Sequence, residues 1–295
     1  MVCSHPRKYV TSRNTPIRFT LLGMLLLLSL MFTACGGATS ATTGSSSQKA
    51  TVPAPKSILI QGVLTIGTNA DYPPMESLDP TTNQPTGFDM DLITALAQRI
   101  GLQPRIMNTG FDTLIPSLQA KRYDVVMATA AITANRQKRV DLLPYFNAGK
   151  AILVQKGNPA HVKSLVDLCG KTVVVENGTI EQIDLQNAVN TCKQAKKPAI
   201  NTTILQSQND VVQALATGRV VAAYQDEIVT DYYLKQNAGR FDIGGLVGPS
   251  SAEGIAVYKG NTDLENALKA ALAQAKQGGT YDKLRQKWGL VSQLH

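Results

Sequence analysis

The sequence predicts an α/β protein with largely parallel sheets, and three observations predict it. Apolar runs of strand length alternate with segments of helical period along most of the chain. A helix–turn–strand pattern occurs at Ser117 to Thr133 and again, without gaps, at Ala214 to Thr230. After Cys35 no stretch is long and apolar enough to span a bilayer.

Taken in order, "VLTIGT" (Val63 to Thr68) reads as a strand. "FDMDLITALAQRIG" places Leu92, Ile93, Leu96, Ala97 and Ile100 on one helical face and stops at Gly101. "DTLIPSLQA" reads as a short helix, and "YDVVMAT", "AILVQ" and "KTVVVE" as strands. A helix begins near Thr179; "VVQALATG" is another, followed by the strand "VVAAYQ". "GIAVYK" is a strand, and Asp263 to Trp288 is helical with a break at Gly278-Gly279.

Composition sets limits on function. At 295 residues, 43% hydrophobic and 17% charged, the chain suits one large domain or two small ones with a sizeable core. Aromatics at 5% argue against a base-stacking nucleic-acid surface. Half of the net charge of +8 comes from Arg7, Lys8, Arg13 and Arg18, ahead of any acid. The remainder calls for no polyanionic partner. The run "NRQKR" (Asn135 to Arg139) reads chiefly as a solvated helix face.

The N-terminus reads as an address. A basic segment leads into the apolar run Phe19 to Cys35, which has the length of a signal core and is short for a span. Phe32-Thr33-Ala34-Cys35 resembles a bacterial lipobox, with residues 1–34 removed and Cys35 lipidated. An uncleaved membrane anchor is the alternative. Either reading places the remainder outside the cytoplasm. Residues 35–57, rich in Gly, Ser and Thr, are expected to be a flexible tether. Cys169 and Cys192 are then an even pair in an oxidising compartment, which favours a structural disulfide over two free thiols. Neither their spacing nor His161 suggests a zinc site, and no metal or cofactor is expected.

The duplicated pattern aligns Thr129 with Asp226, each at the carboxyl end of its strand, where open α/β sheets bind ligands. Asp226 is either an ammonium acceptor or the N-cap of the helix that follows. Arg136 is either a fork for a carboxylate or surface charge. "ENGTIEQ" (Glu176 to Gln182) combines a Gly turn with a Thr179/Gln182 capping box, and such a helix start either binds an anion or is simply capped. Tyr72 and Phe111, expected in loops after strands, either cover a ligand or pack. The chain lacks G-x-S-x-G, H-E-x-x-H, P-loop and G-x-G-x-x-G motifs.

"TIGTNADYPPMES" (Thr65 to Ser77), "GFDMDLITALAQRIG" (Gly87 to Gly101), "FDTLIPSLQAKRYDVVMATAAITANRQKRVDLLPYF" (Phe111 to Phe146) and "GTYDKLRQKWG" (Gly279 to Gly289) occur in this order. Together they resemble the extracellular solute-binding proteins of polar amino acid ABC transporters, the family-3 type. The resemblance implies a two-lobed periplasmic-binding-protein-like (type II) fold with a ligand cleft between the lobes. Residues 58–147, completed by 253–295, would form lobe 1, and 148–252 lobe 2. It implies a monomeric receptor, not an enzyme, that closes on a small polar amino acid and delivers it to an ABC permease. By position, Arg136 matches the family's α-carboxylate arginine and Asp226 its α-ammonium aspartate. Ala128, Thr129 and Ala131 lie in the segment that offers backbone groups. Gly178, Thr179 and Ile180 match the turn that meets the carboxylate, and Phe111 and Tyr72 the rings around the side chain. Asn69 stands where the family often has Asp, which weakens the case for a cationic ligand. Ala131 and Ile180 each replace a frequent hydroxyl, and Glu181 near the side-chain pocket could restore a polar or cationic preference. Two other readings are an enzyme on the same scaffold, dehydratase- or lyase-like, with Glu76, Glu181 or Glu227 as general acid, and a sensory domain. A chain stopping at His295 speaks against the sensor.

Overall fold

The computed structural model describes residues 50–290, which fall within one compact unit. The expected signal peptide, Cys35 and most of the expected tether lie outside the described residues. The end of that tether is docked, not loose. The Thr51 and Val52 amides donate to the Arg99 carbonyl at 2.9 and 3.0 Å, and the Lys56 and Ser57 amides to Asp263 Oδ2 at 2.7 and 3.1 Å. Val52 is apolar enough to join the core, which fixes the segment.

The first strand, β1 (Val63–Thr68), is followed by β2 (Asp71–Tyr72), β3 (Glu76–Leu78) and β4 (Pro85–Thr86), a small antiparallel sheet of their own. Then come α1 (Phe88–Arg99), β5 (Gln103–Asn108), α2 (Phe111–Gln119), β6 (Val125–Val126) and α3 (Ala134–Gln137). A long strand, β7 (Val140–Gln155), leads to β8 (Thr172–Glu176), α4 (Ile180–Gln194), β9 (Asn201–Leu205), α5 (Gln208–Ala216), β10 (Ala222–Asp226) and α6 (Glu227–Gln236). A second long strand, β11 (Phe241–Tyr258), returns to α7 (Thr262–Gln277) and α8 (Thr280–Lys287).

The main sheet has the order β5-β1-β6-β11-β7-β10-β8-β9. Its flanks are parallel as expected: β1 pairs with β5 and β6, and β8 with β9 and β10. Its centre is antiparallel, because the chain leaves the first half along β7 and returns along β11. The segments "AILVQ" and "GIAVYK" are parts of these two long strands. Register shifts near Gly245, Val247 and Glu253 bend the ribbon where it joins the halves.

Each half has its own core on both sheet faces, so its central strands read as continuous apolar runs. Val125 packs with the buried stripe of α1 and with Leu264 and Leu268 of α7, while Val126 packs with Leu114 and Leu118 of α2. In the second half Val173 and Val175 face Leu185 and Cys192 of α4, and Val174 faces Val211 and Leu215 of α5. Burying one such side chain contributes about 1.5–3 kcal/mol. Cys169 and Cys192 form a disulfide that fastens α4 to the turn before β8.

The duplicated pattern is a repeated hydrogen-bonding unit. Lys121 N donates to the Leu118 carbonyl and Arg122 N to Ser117, and Gly218 N donates to Leu215 and Arg219 N to Ala214. Lys121 and Gly218 both take the left-handed conformation that ends a helix, with φ of 55° and 73°.

Candidate functional site

In the first half, the chain beyond β6 is held from beneath. Thr129 has a φ of 44°, costly for a residue with a Cβ. Two buried carboxyl groups restrain it: Thr129 N donates to Asp89 Oδ2 at 3.1 Å and Thr129 Oγ1 to Glu76 Oε2 at 3.2 Å. The Tyr145 hydroxyl donates to the same Asp89 oxygen at 2.6 Å. Burial raises the pKa of both acids, Asp89 to about 6 and Glu76 well above its usual range. Thr133 caps α3, its hydroxyl accepting from Arg136 N at 3.2 Å. The Arg136 guanidinium lies 5.3 Å from the centre of the Phe111 ring. Its Nη1 donates to the Ala131 carbonyl at 2.7 Å and its Nη2 to the Gly178 carbonyl at 3.1 Å.

In the second half, β8 ends at Glu176 and the chain turns through Gly178, whose φ is 82°. Glycine is needed twice over here, because a Cβ would lie 3.1 Å from Asp112 Cα of the first half. The Thr179/Gln182 cap forms with one change. Thr179 Oγ1 accepts from Gln182 N at 3.3 Å, but the Gln182 side chain accepts from Gly178 N at 2.7 Å instead of from the Thr179 amide. That takes a donor expected to face a carboxylate.

Asp226 stands at the N-cap of α6, yet its side chain makes no capping bond. Its Oδ2 accepts from the Tyr72 hydroxyl at 3.0 Å. Three further contacts join the halves: Arg136 to Gly178, Asn177 Nδ2 to Asp112 Oδ2 at 3.0 Å, and Gln208 N to Asp71 Oδ2 at 3.1 Å. The arrangement is a closed one.

Between the halves lies a narrow cavity. Of the residues singled out from sequence as ligand contacts, all line it except Asn69 and Gly178. Asn69 is buried with its amide donating to the Thr109 carbonyl at 3.1 Å, and Gly178 lines a neighbouring groove. Tyr72 sits in β2 and Phe111 opens α2, so neither is in a loop. Glu176 and Glu253 also line the cavity, and sequence reasoning missed them as contacts. Glu176 carried a signal: like Asp226, it ends an apolar strand on a carboxylate. Glu253 carried none, since tertiary pairing of its strand with the chain around Ala131 brings it to the site.

The cavity is rich in acid. Asp226, Glu176, Glu181 and Glu253 are all pushed well above the usual carboxylate range, first by burial and then by the charge of neighbouring acids, which for Glu176 is Asp71 and for the others is one of the four. Burial lowers the pKa of Arg136, against the pull of Glu253, Glu181 and Asp226. Among the described residues no carboxylate lies within ion-pair distance of Arg136, and no acidic cluster has the spacing of a metal site.

Residues 64–291 match the bacterial extracellular solute-binding proteins, family 3. The chain belongs to that family. This solute-binding chain is 32% identical over 233 residues to ABC transporter arginine-binding protein 1 of Escherichia coli K12, covering 76% of this chain and 90% of that one. It is 33% identical over 232 residues to the histidine-binding periplasmic protein of Salmonella typhimurium LT2, covering 76% and 86%. A solved structure of an ancestral arginine-binding protein bound to arginine superposes with a TM-score of 0.71 at 38% identity, over 77% of this chain and 98% of that one. These relatives are binding proteins. Among the described residues of this solute-binding chain no helix is long and apolar enough to cross a membrane.

Proposed function

We propose that the chain captures a polar amino acid outside the cytoplasm and delivers it to an ABC permease, working as a monomeric receptor and not as a catalyst. Cys35 would carry lipid after removal of residues 1–34 and anchor the receptor to the cell membrane. Lobe 1 (58–147 with 253–295) and lobe 2 (148–252) would open and close about the β7/β11 ribbon. The observation that carries the reading is that Arg136 and Asp226 line one cavity. The two residues come from opposite halves and have opposite charge, as a zwitterion requires. Tyr72 and Phe111 flank the side chain, and Thr129, Ala131, Thr179 and Ile180 complete the wall. The named relatives differ in ligand, arginine in one and histidine in another, so kinship supports the clamp for the amino acid backbone more strongly than any one side chain.

The test is a thermal-shift panel of amino acids on residues 50–295. A ligand at 100 times its Kd should stabilise the native state by about 2.7 kcal/mol. Arg136→Ala and Asp226→Asn should abolish the response. Silence across the panel defeats the reading.

A second reading, catalysis, is favoured by one observation: Glu181 is buried in the cavity with its pKa raised, as a general acid requires. Glu76 is committed to Thr129, and Glu227 packs against Gly149 outside the cavity, so neither serves that role. Incubating the protein with each ligand and finding a changed product by NMR would favour the catalytic reading.

A further inference from the structure

Three buried oxygens in the cavity wall have no partner: Glu176 Oε1, Glu181 Oε1 and Glu253 Oε2. Their residues are only 2%, 3% and 1% exposed. They reach the cavity from the end of β8, the first turn of α4 and the returning strand β11. A buried polar atom without a partner costs free energy and calls for an explanation, and these three share one cavity wall.

An amino acid backbone does not account for them. Its ammonium group is met by Asp226 and its carboxylate by Arg136, one charge each. That leaves three more carboxyl groups in the wall, Glu181 beside Asp226, Glu253 acting on Arg136, and Glu176, with no basic residue lining it except Arg136. Lys150, whose charge also acts on Glu181, is already paired with Asp184 at 2.5 Å. An amide side chain has two N–H donors; an ammonium has three and a guanidinium five, all positive. A metal ion does not fit, because the described acids lack the spacing to converge on one.

We propose that Glu176, Glu181 and Glu253 form a subsite for a cationic side chain, so that the ligand is an amino acid carrying a second positive charge. This rests on the amino acid reading and deepens it. It also relocates the acid expected at position 69: Asn69 faces Thr109, and the counter-charge comes from the second half and the connecting ribbon. The missing acid at that position is therefore no argument against a cation.

The test is titration calorimetry with arginine, lysine and ornithine against citrulline, glutamine and norleucine. Citrulline keeps the length and shape of arginine but not its charge. Wild-type protein should prefer arginine to citrulline by roughly thirtyfold or more, the effect of removing one partner from a buried charge pair. The double variant Glu181→Gln, Glu253→Gln should collapse that ratio to a few-fold, whereas Asp226→Asn should weaken both ligands together. Citrulline or glutamine binding as tightly as arginine and lysine to the wild-type protein would overturn the subsite, and this comparison needs no variant to fold. A ratio that survives the double variant would overturn it as well. If no amino acid binds, the receptor reading itself falls and takes the subsite with it.

Discussion

The Tyr72 hydroxyl donates to Asp226 Oδ2 at 3.0 Å and accepts from the Asp226 amide at 3.1 Å. One phenol thus satisfies two buried groups of the opposite half and ties β2 to the end of β10. It also explains why an apolar strand finishes in a carboxylate: the acid faces the cavity and does not cap α6. Tyr72→Phe keeps the ring but strands both Asp226 groups. Leaving a buried polar group unpaired costs about 1–3 kcal/mol. Urea denaturation should register a loss of that size, and small-angle scattering should show a more open unliganded protein. Unchanged stability would mean that water replaces the phenol.

Acidity should matter in a defined direction. Asp226, Glu176, Glu181 and Glu253 hold their protons more tightly folded than unfolded, burial being the first cause in each. The next causes are Glu253 for Asp226, Asp226 for Glu181, Asp71 for Glu176 and Glu181 for Glu253. Arg136 and Lys150 oppose them at Glu253 and Glu181. A carboxyl group raised in this way contributes stability that is complete below its unfolded value and is lost as pH rises through its folded value. The unliganded protein should therefore melt lower at about pH 8 than at about pH 5. A cationic ligand replaces those protons, so its affinity should rise over the same interval while that of citrulline changes less. Calorimetry in buffers of different ionisation enthalpy would detect the released protons; none released would defeat the prediction.

Much of this was legible in the sequence because it is local. The α1 stripe follows from its 3.6-residue period, and Leu92, Ile93, Leu96, Ala97 and Ile100 are all fully buried. The Thr129/Asp226 register came from the duplicated pattern, whose turns repeat bond for bond. What the sequence hid depends on distant partners. Glu253 reaches the site only because β11 passes Ala131, and the Tyr72–Asp226 bond joins residues far apart in the chain. The antiparallel centre of the sheet was hidden for the same reason: each long strand looks like any short apolar run until its partner is known.

Gly218 ends α5 with a φ of 73°, and a Cβ there would meet only Gln155 Nε2 at an ordinary 3.5 Å. Crowding is thus removed as a cause, leaving backbone strain alone. Gly218→Ala should destabilise by about 1 kcal/mol, the left-handed penalty less the entropy that alanine removes from the unfolded chain. Thermal melts would show it, and no loss would mean that the turn adopts another conformation.

The disulfide closes a sequence separation of 23 residues between the turn before β8 and α4, whose first turn carries Glu181. A loop of this size contributes about 3 kcal/mol. Cys169→Ala with Cys192→Ala should lower stability by that order in chemical denaturation. Cys192 is fully buried, so the double variant also tests whether packing there survives without the bond.

Arg136→Lys separates charge from shape. The guanidinium reaches two carbonyls at once, Ala131 of its own half and Gly178 of the other, and lies 5.3 Å from the centre of the Phe111 ring. A lysine keeps the charge as a point but not the fork or the flat face. One ammonium at the end of a flexible stem does not reproduce two divergent bonds and also present paired donors to a carboxylate. Amino acid affinity should fall by roughly tenfold or more, the equivalent of about 1.4 kcal/mol, although net charge is unchanged. The fold should persist, since Thr133 caps α3 through the backbone amide of residue 136 and not through its side chain. Calorimetry beside a thermal melt decides the matter. Retained affinity would mean that charge alone holds the carboxylate; lost affinity with an intact melt would assign the role to the fork.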